Sequence, residues 1–208
     1  MSKLGCVLSL AGAIGLTMTA SSGVVYAGVM FTSGNHPQPG EENIMFETTQ
    51  TGMTITGDTD KSNTFVQFTS TESLSTGGLG QAFFMATTGT ITNATFSVPS
   101  HTFDDFIFDP HNGSGAAVVT AVANDGSFTD DITLGNGQNF LTITTNGGET
   151  LSSVEISAPG GFDTYDQPRV SGISGVTILP EPPSLALLGL SLMGVGLLSR
   201  LRRKTKPI

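Results

Sequence analysis

Short runs in which every second residue is apolar recur along most of this chain. Met53-Thr54-Ile55-Thr56, Thr64-Phe65-Val66-Gln67-Phe68, Phe103 to Phe108, Phe140-Leu141-Thr142-Ile143-Thr144 and Val154-Glu155-Ile156 all carry the pattern. A strand turns successive side chains to opposite faces, so this alternation in β-branched and aromatic residues predicts strands buried on one side. Turn signals separate the runs: Gly57-Asp58, Asn112-Gly113, Asp125-Gly126, Gly135-Asn136-Gly137 and Asn146-Gly147-Gly148. Such pairs supply the positive-φ or Asx-type corners that hairpins need. No stretch between them shows the 3.6-residue stripe of an amphipathic helix. Ten or so strands over residues 28–178 fit an all-β fold, an antiparallel β-sandwich or jelly roll. Thirteen Phe, with the Val and Ile, supply apolar mass for one core at this length.

Both ends break the pattern. At the start, Lys3 precedes an apolar run from Val7 to Ala20, and Val25-Tyr26-Ala27 closes it with small residues three and one before a cut between Ala27 and Gly28. That is the layout of a secretory signal peptide over residues 1–27 and implies handling by the Sec export machinery. Leu4-Gly5-Cys6 is not a lipoprotein box, because the apolar stretch follows the cysteine instead of preceding it. Near the other end, Leu185 to Leu198 is fourteen residues without a charge, carried by Leu185, Leu187, Leu188, Leu190, Leu192, Val195, Leu197 and Leu198. A helix of that length covers about 21 Å of a hydrocarbon core ~30 Å thick. The expectation is one short C-terminal transmembrane helix, helped by snorkelling of Arg200, Arg202, Arg203 and Lys204. Those bases also predict a cytoplasmic C-terminus, with the β domain across the inner membrane. Pro180, Pro182 and Pro183 can neither continue a helix nor donate to a sheet, so they hold the backbone extended and accessible beside the bilayer.

Charge narrows the choice of partners. Of the eight basic residues only Lys61 and Arg169 lie between Gly28 and Pro183, against all seventeen acids, a difference of −15. Nucleic-acid binding needs clustered Lys and Arg to displace counterions, so it is excluded as a role for this domain. Cys6 is the one cysteine and falls in the signal segment, leaving no disulfide framework or thiol chemistry afterwards. His36, His101 and His111 show no metal-ligand spacing and are expected in loops; no G-x-S-x-G elbow occurs. Asp104, Asp105 and Asp109 are expected to be solvated loop acids, and the chain is read as a non-enzyme with no catalytic residues. Asp58 and Asp60, in Gly57-Asp58-Thr59-Asp60-Lys61-Ser62-Asn63, are candidate Ca²⁺ ligands, although the glycine and terminal glutamate of an EF-hand loop are missing. Ca²⁺ is the one cofactor considered. For sugars, the chain has no Trp and keeps only Tyr165 beyond the signal segment, which disfavours a lectin that stacks sugars on Trp or Tyr. A glycan-binding module working through hydrogen bonds or Ca²⁺ is the alternative to a structural or adhesive role, and an enzyme acting on polysaccharide stands last, for want of a histidine, cysteine or paired-acid constellation.

Pro180-Glu181-Pro182, a short spacer, the Leu/Gly-rich run and the terminal basic cluster together resemble the PEP-CTERM sorting signal of exported Gram-negative proteins, over residues 179–208. The resemblance implies recognition by exosortase, a membrane cysteine transpeptidase-like enzyme. It further implies cleavage near Pro180-Glu181-Pro182 and delivery of the domain to the envelope surface or extracellular matrix, in bacteria that make exopolysaccharide or biofilm. Gly126 to Ile173 also resembles a recurring ectodomain of such proteins, which brings no catalytic residues. Leu179-Pro180-Glu181 begins like an LPxTG sortase site, but Pro182-Pro183 stand where Thr-Gly belongs.

Overall fold

The computed structural model describes residues 28–175. The signal segment up to Ala27, the Pro180-Glu181-Pro182 motif, the apolar run and the basic cluster lie outside the described residues. Among the described residues no helix is long and apolar enough to cross a membrane, and the secondary structure is all β. The strands are β1 (Val29–Ser33), β2 (Glu42–Phe46), β3 (Thr51–Thr59), β4 (Phe65–Thr76), β5 (Gly80–Gln81), β6 (Phe83–Ala86), β7 (Ile91–Ser97), β8 (His101–Thr102), β9 (Asp105–His111), β10 (Gly115–Ala123), β11 (Gly126–Leu134), β12 (Leu141–Thr145), β13 (Leu151–Phe162), β14 (Thr164–Ser171) and β15 (Ser174–Gly175). The runs of alternating residues all fall on or across these strands. Gly57-Asp58 does not make the expected turn: both residues lie inside β3, and the chain reverses later, at Asp60–Asn63.

Every strand pairing is antiparallel. The main sheet runs β1-β12-β9-β14-β2-β3-β4-β7-β13-β10-β11. It does not stay open. β6 pairs with β14 on one side and β4 on the other, so β14, β2, β3, β4 and β6 form a closed ring. The sheet is also folded onto itself: β9 and β7 are five steps apart along it, yet the Phe106 and Phe96 rings stack with centroids 4.0 Å apart. The result is a sandwich-like fold with a barrel-like closure in its middle, while β1 and β11 remain the edge strands of the sheet.

The core between the layers is aromatic. Tyr165 stacks between Phe84 and Phe108, at 4.8 and 5.1 Å, and meets Phe68 edge-on from the facing layer. Phe103, Phe106 and Phe96 continue the cluster, and all of these rings are fully buried. Each such pair adds about 0.5–1.5 kcal/mol beyond the area it buries. Because Phe106 and Phe108 point into this core, alternation sends Asp105, Ile107, Asp109 and His111 of β9 to the outer face.

Candidate functional site

The outer face around β9 and β14 carries the polar chemistry. Register alone would not assemble it. Asp166 lies opposite Asp109 and Arg169 lies opposite Ile107, so three steps along β14 match two along β9. This one-residue β-bulge at Gln167-Pro168 keeps Asp166 and Arg169 on the same face, where a regular strand would point them to opposite sides. Gln167 takes up the extra residue with φ +49°, in the left-handed region.

Arg169 then pins a covering segment. Its Nη1 lies 2.7 Å from Glu41 Oε1, and its Nη2 donates to Asn35 Oδ1. His36 N donates to Thr142 Oγ1, which donates to the Gly34 carbonyl. Residues 34–41 are thereby held across β12 and β14.

A second loop, between β11 and β12, closes over the end of β9. Asn139 is its organiser: its Nδ2 donates to the carbonyls of Pro110, Gly135 and Gly137, and its Oδ1 accepts from Gly135 N. Asn139 N donates to Asp109 Oδ1 at 2.6 Å. Asp109 is consequently 1% exposed, not a solvated loop acid, and burial pushes its carboxyl above the ordinary aspartate range against the opposing pull of Asn139 N–H and His111. His111 Nδ1 stands 3.5 Å from Asp109 Oδ2. With Asp166 added, one ligand atom from each of the three side chains lies within 4.8 Å of the others. Among the described residues, Asp109, His111 and Asp166 are the group of three with metal-holding geometry.

Two cavities flank this cluster and share Gln167 in their walls. The larger, about 790 Å³, is an open groove bounded by Asn35, Asp130, Asp131, Gln138, Asn139 and the half-buried Phe140. The smaller, about 360 Å³, is lined by Gln81, Phe83, Thr164 and Asp166. Phe83 is 36% exposed, because Phe83 and Phe84 are successive residues of β6 and only one of them can enter the core. Tyr165, by contrast, is buried among Phe rings and offers no surface platform.

The other candidates are placed differently. Asp60 is a turn residue whose two carboxylate oxygens accept from Asn43 N and Nδ2, while Asp58 sits within β3; among the described residues they belong to no group of three acids or histidines with metal-holding spacing. His101 lies in β8 and His111 ends β9, so only His36 of the three occupies a loop. Asp105 accepts from the Ser171 hydroxyl at 2.6 Å, and burial raises its carboxyl against that bond. Asp105 and Asp109 are four residues apart on one strand, roughly 13 Å by strand rise, wider than the ~5–10 Å that an acid–base glycosidase pair spans.

No family model and no curated protein matches the chain. Two solved structures are similar to it, both mutants of a family 29 carbohydrate-binding module made to probe ligand recognition. Their TM-scores are 0.27 and 0.26 at 9% and 8% identity, with 74% of this chain covered in both and 97% and 99% of theirs. Similarity of that order bears on neither the site nor its ligand.

Proposed function

We propose that the chain is an exported, non-catalytic surface protein whose β domain binds a glycan, through hydrogen bonds and Phe faces, on the outer surface around β14. The observation that carries this reading is the pair of open cavities meeting at Gln167. Side-chain amides (Asn35, Gln81, Gln138, Gln167) and acids (Asp130, Asp166) alternate there with the exposed ring of Phe83 and the half-buried ring of Phe140. Sugars present hydroxyls and CH faces together, so amide–carboxylate pairs beside exposed aromatic rings suit them. The surplus of acid in the domain makes a polyanionic glycan the wrong ligand; a neutral or cationic polysaccharide fits the field.

Delivery is the second half of the proposal. The Pro180-Glu181-Pro182 motif, the short apolar run and the basic cluster support processing by exosortase at the inner membrane, after Sec export, and release or transfer of the domain to the envelope surface or exopolysaccharide matrix. The short, glycine-bearing helix expected there suits a temporary anchor.

Two experiments test the two halves separately. An array of neutral, cationic and anionic glycans, probed with the purified full chain, is expected to show retention by neutral or amino sugars; binding to none of them contradicts the ligand reading. Intact mass of the protein recovered from the cell surface is expected to place the mature C-terminus near Pro180-Glu181-Pro182. A surface form still ending at Ile208 contradicts the sorting reading.

A further inference from the structure

We infer that Asp109, His111 and Asp166 form a binding site for one divalent transition-metal ion of the zinc type. The site does not depend on the glycan reading. Its first support is spacing. A charge-assisted hydrogen bond between an imidazole N–H and a carboxylate closes to roughly 2.7–2.9 Å. His111 Nδ1 and Asp109 Oδ2 instead stand 3.5 Å apart. Two ligands of a tetrahedral ion, each about 2.0–2.1 Å from the metal, are separated by about 3.3–3.4 Å. The observed gap is therefore close to a coordination edge and too long for a strong hydrogen bond. Asp166, directly across from Asp109 on the neighbouring strand, brings the third ligand atom within 4.8 Å of both.

The second support is the second layer of contacts. Metal-binding carboxylates are held in orientation by hydrogen bonds to their other oxygen. Asp109 Oδ1 takes that bond from Asn139 N at 2.6 Å, and the Asn139 side chain is tied to three carbonyls of its own loop and of β9. Oδ2 is left facing His111. A carboxylate that is 1% exposed is costly to keep charged without a positive partner, and the described residues around it offer none but the imidazole. Lys61 and Arg169 are the lysine and the arginine of the domain, and Arg169 is engaged by Glu41 and Asn35.

The donor set selects the ion. One imidazole with two carboxylates suits borderline transition metals, whereas Ca²⁺ prefers six to eight oxygens that this corner does not supply. Three protein ligands leave a fourth position, and Asp166 also lines the cavity that holds Phe83. A water or a ligand hydroxyl can complete the shell from that side.

The test uses the full chain, stripped with EDTA and titrated with Zn²⁺, Co²⁺ and Ca²⁺ by calorimetry and absorption. One Zn²⁺ per chain, visible d–d bands with Co²⁺, and Ca²⁺ bound more weakly than Zn²⁺ are the expected results. His111→Ala and Asp166→Asn are each expected to weaken Zn²⁺ at least about tenfold, while Asp58→Asn with Asp60→Asn leaves it unchanged. His111 is one-third exposed, so its replacement should fold, and Asp166→Asn decides if circular dichroism shows otherwise. No stoichiometric Zn²⁺ binding, preference for Ca²⁺, or undiminished binding by a folded His111→Ala or Asp166→Asn chain overturns the inference. The two sites share Asp166, but the array reads glycan retention by the wild-type chain and the His111→Ala titration reads metal alone, so either reading can fail without the other.

Discussion

Gln167 shows how a local cost serves the surface. A non-glycine residue at φ +49° is strained by about 1 kcal/mol relative to glycine. It is tolerated because the bulge keeps Asp166 beside Asp109 and places the amide where the two cavities meet. Gln167→Gly is therefore expected to leave the free energy of unfolding, measured by denaturant titration, unchanged or raise it by up to about 1 kcal/mol, while weakening glycan retention. A variant that loses stability and keeps full retention would contradict that assignment. Asp105 supplies a second test at this scale. Burial raises its carboxyl, the Ser171 hydroxyl opposes the shift, and neighbouring Asp104 adds to it. A folded-state pKa above the unfolded value means that the folded chain holds the proton longer. Its stability is then greatest below the ordinary aspartate range and falls as pH rises through the raised value. Asp105→Asn is expected to flatten the decline in melting temperature as pH rises above the ordinary aspartate range; an identical slope in both chains would contradict it. Asn is chosen because it still accepts from Ser171.

At the scale of elements, the strands were legible because each needs only its own alternation. The runs at Phe65–Phe68 and Leu141–Thr144 appear as strands, with Val66, Phe68, Leu141 and Ile143 turned into the core, although Phe65 is exposed and Thr142 is buried. Even the exposure of Phe83 could be read from two successive Phe in one strand. The site was not legible in the same way. Asp109 and His111 are two residues apart, a spacing with no meaning until a strand places both on one face, and Asp166 arrives from more than fifty residues away. The bulge that aligns them leaves one local trace, Pro168 inside β14, which has no N–H to give the ladder and marks a bulge only once the strand is known to be central. Asp109 has the local sequence of a solvated loop acid, and what buries it is a separate loop, fastened by Asn139. Gly57-Asp58 misled in the opposite direction. The pair has turn chemistry but lies in β3, where pairing to β4 and to β2 outweighs local preference.

For the whole molecule, closure joins the parts. The ring of β14, β2, β3, β4 and β6 and the Phe96–Phe106 stack hold the two layers together, so damage to the stack should be felt globally. Phe96→Ala and Phe106→Ala are each expected to cost about 3–5 kcal/mol in denaturant unfolding. Because the rings touch, the double variant should cost less than the sum; simple additivity would contradict the stacked core. The outer face should be separable from this core. Phe83 and Phe140 lie at the rims of the cavities, outside the set of fully buried rings. The most direct measurement is affinity electrophoresis of the full chain, wild type against Phe83→Ala with Phe140→Ala, in gels containing the glycan that the array selects. The account predicts that the double variant keeps its fold by circular dichroism and loses most of its retardation. Full retardation by a folded double variant would contradict the claim that this face binds the glycan.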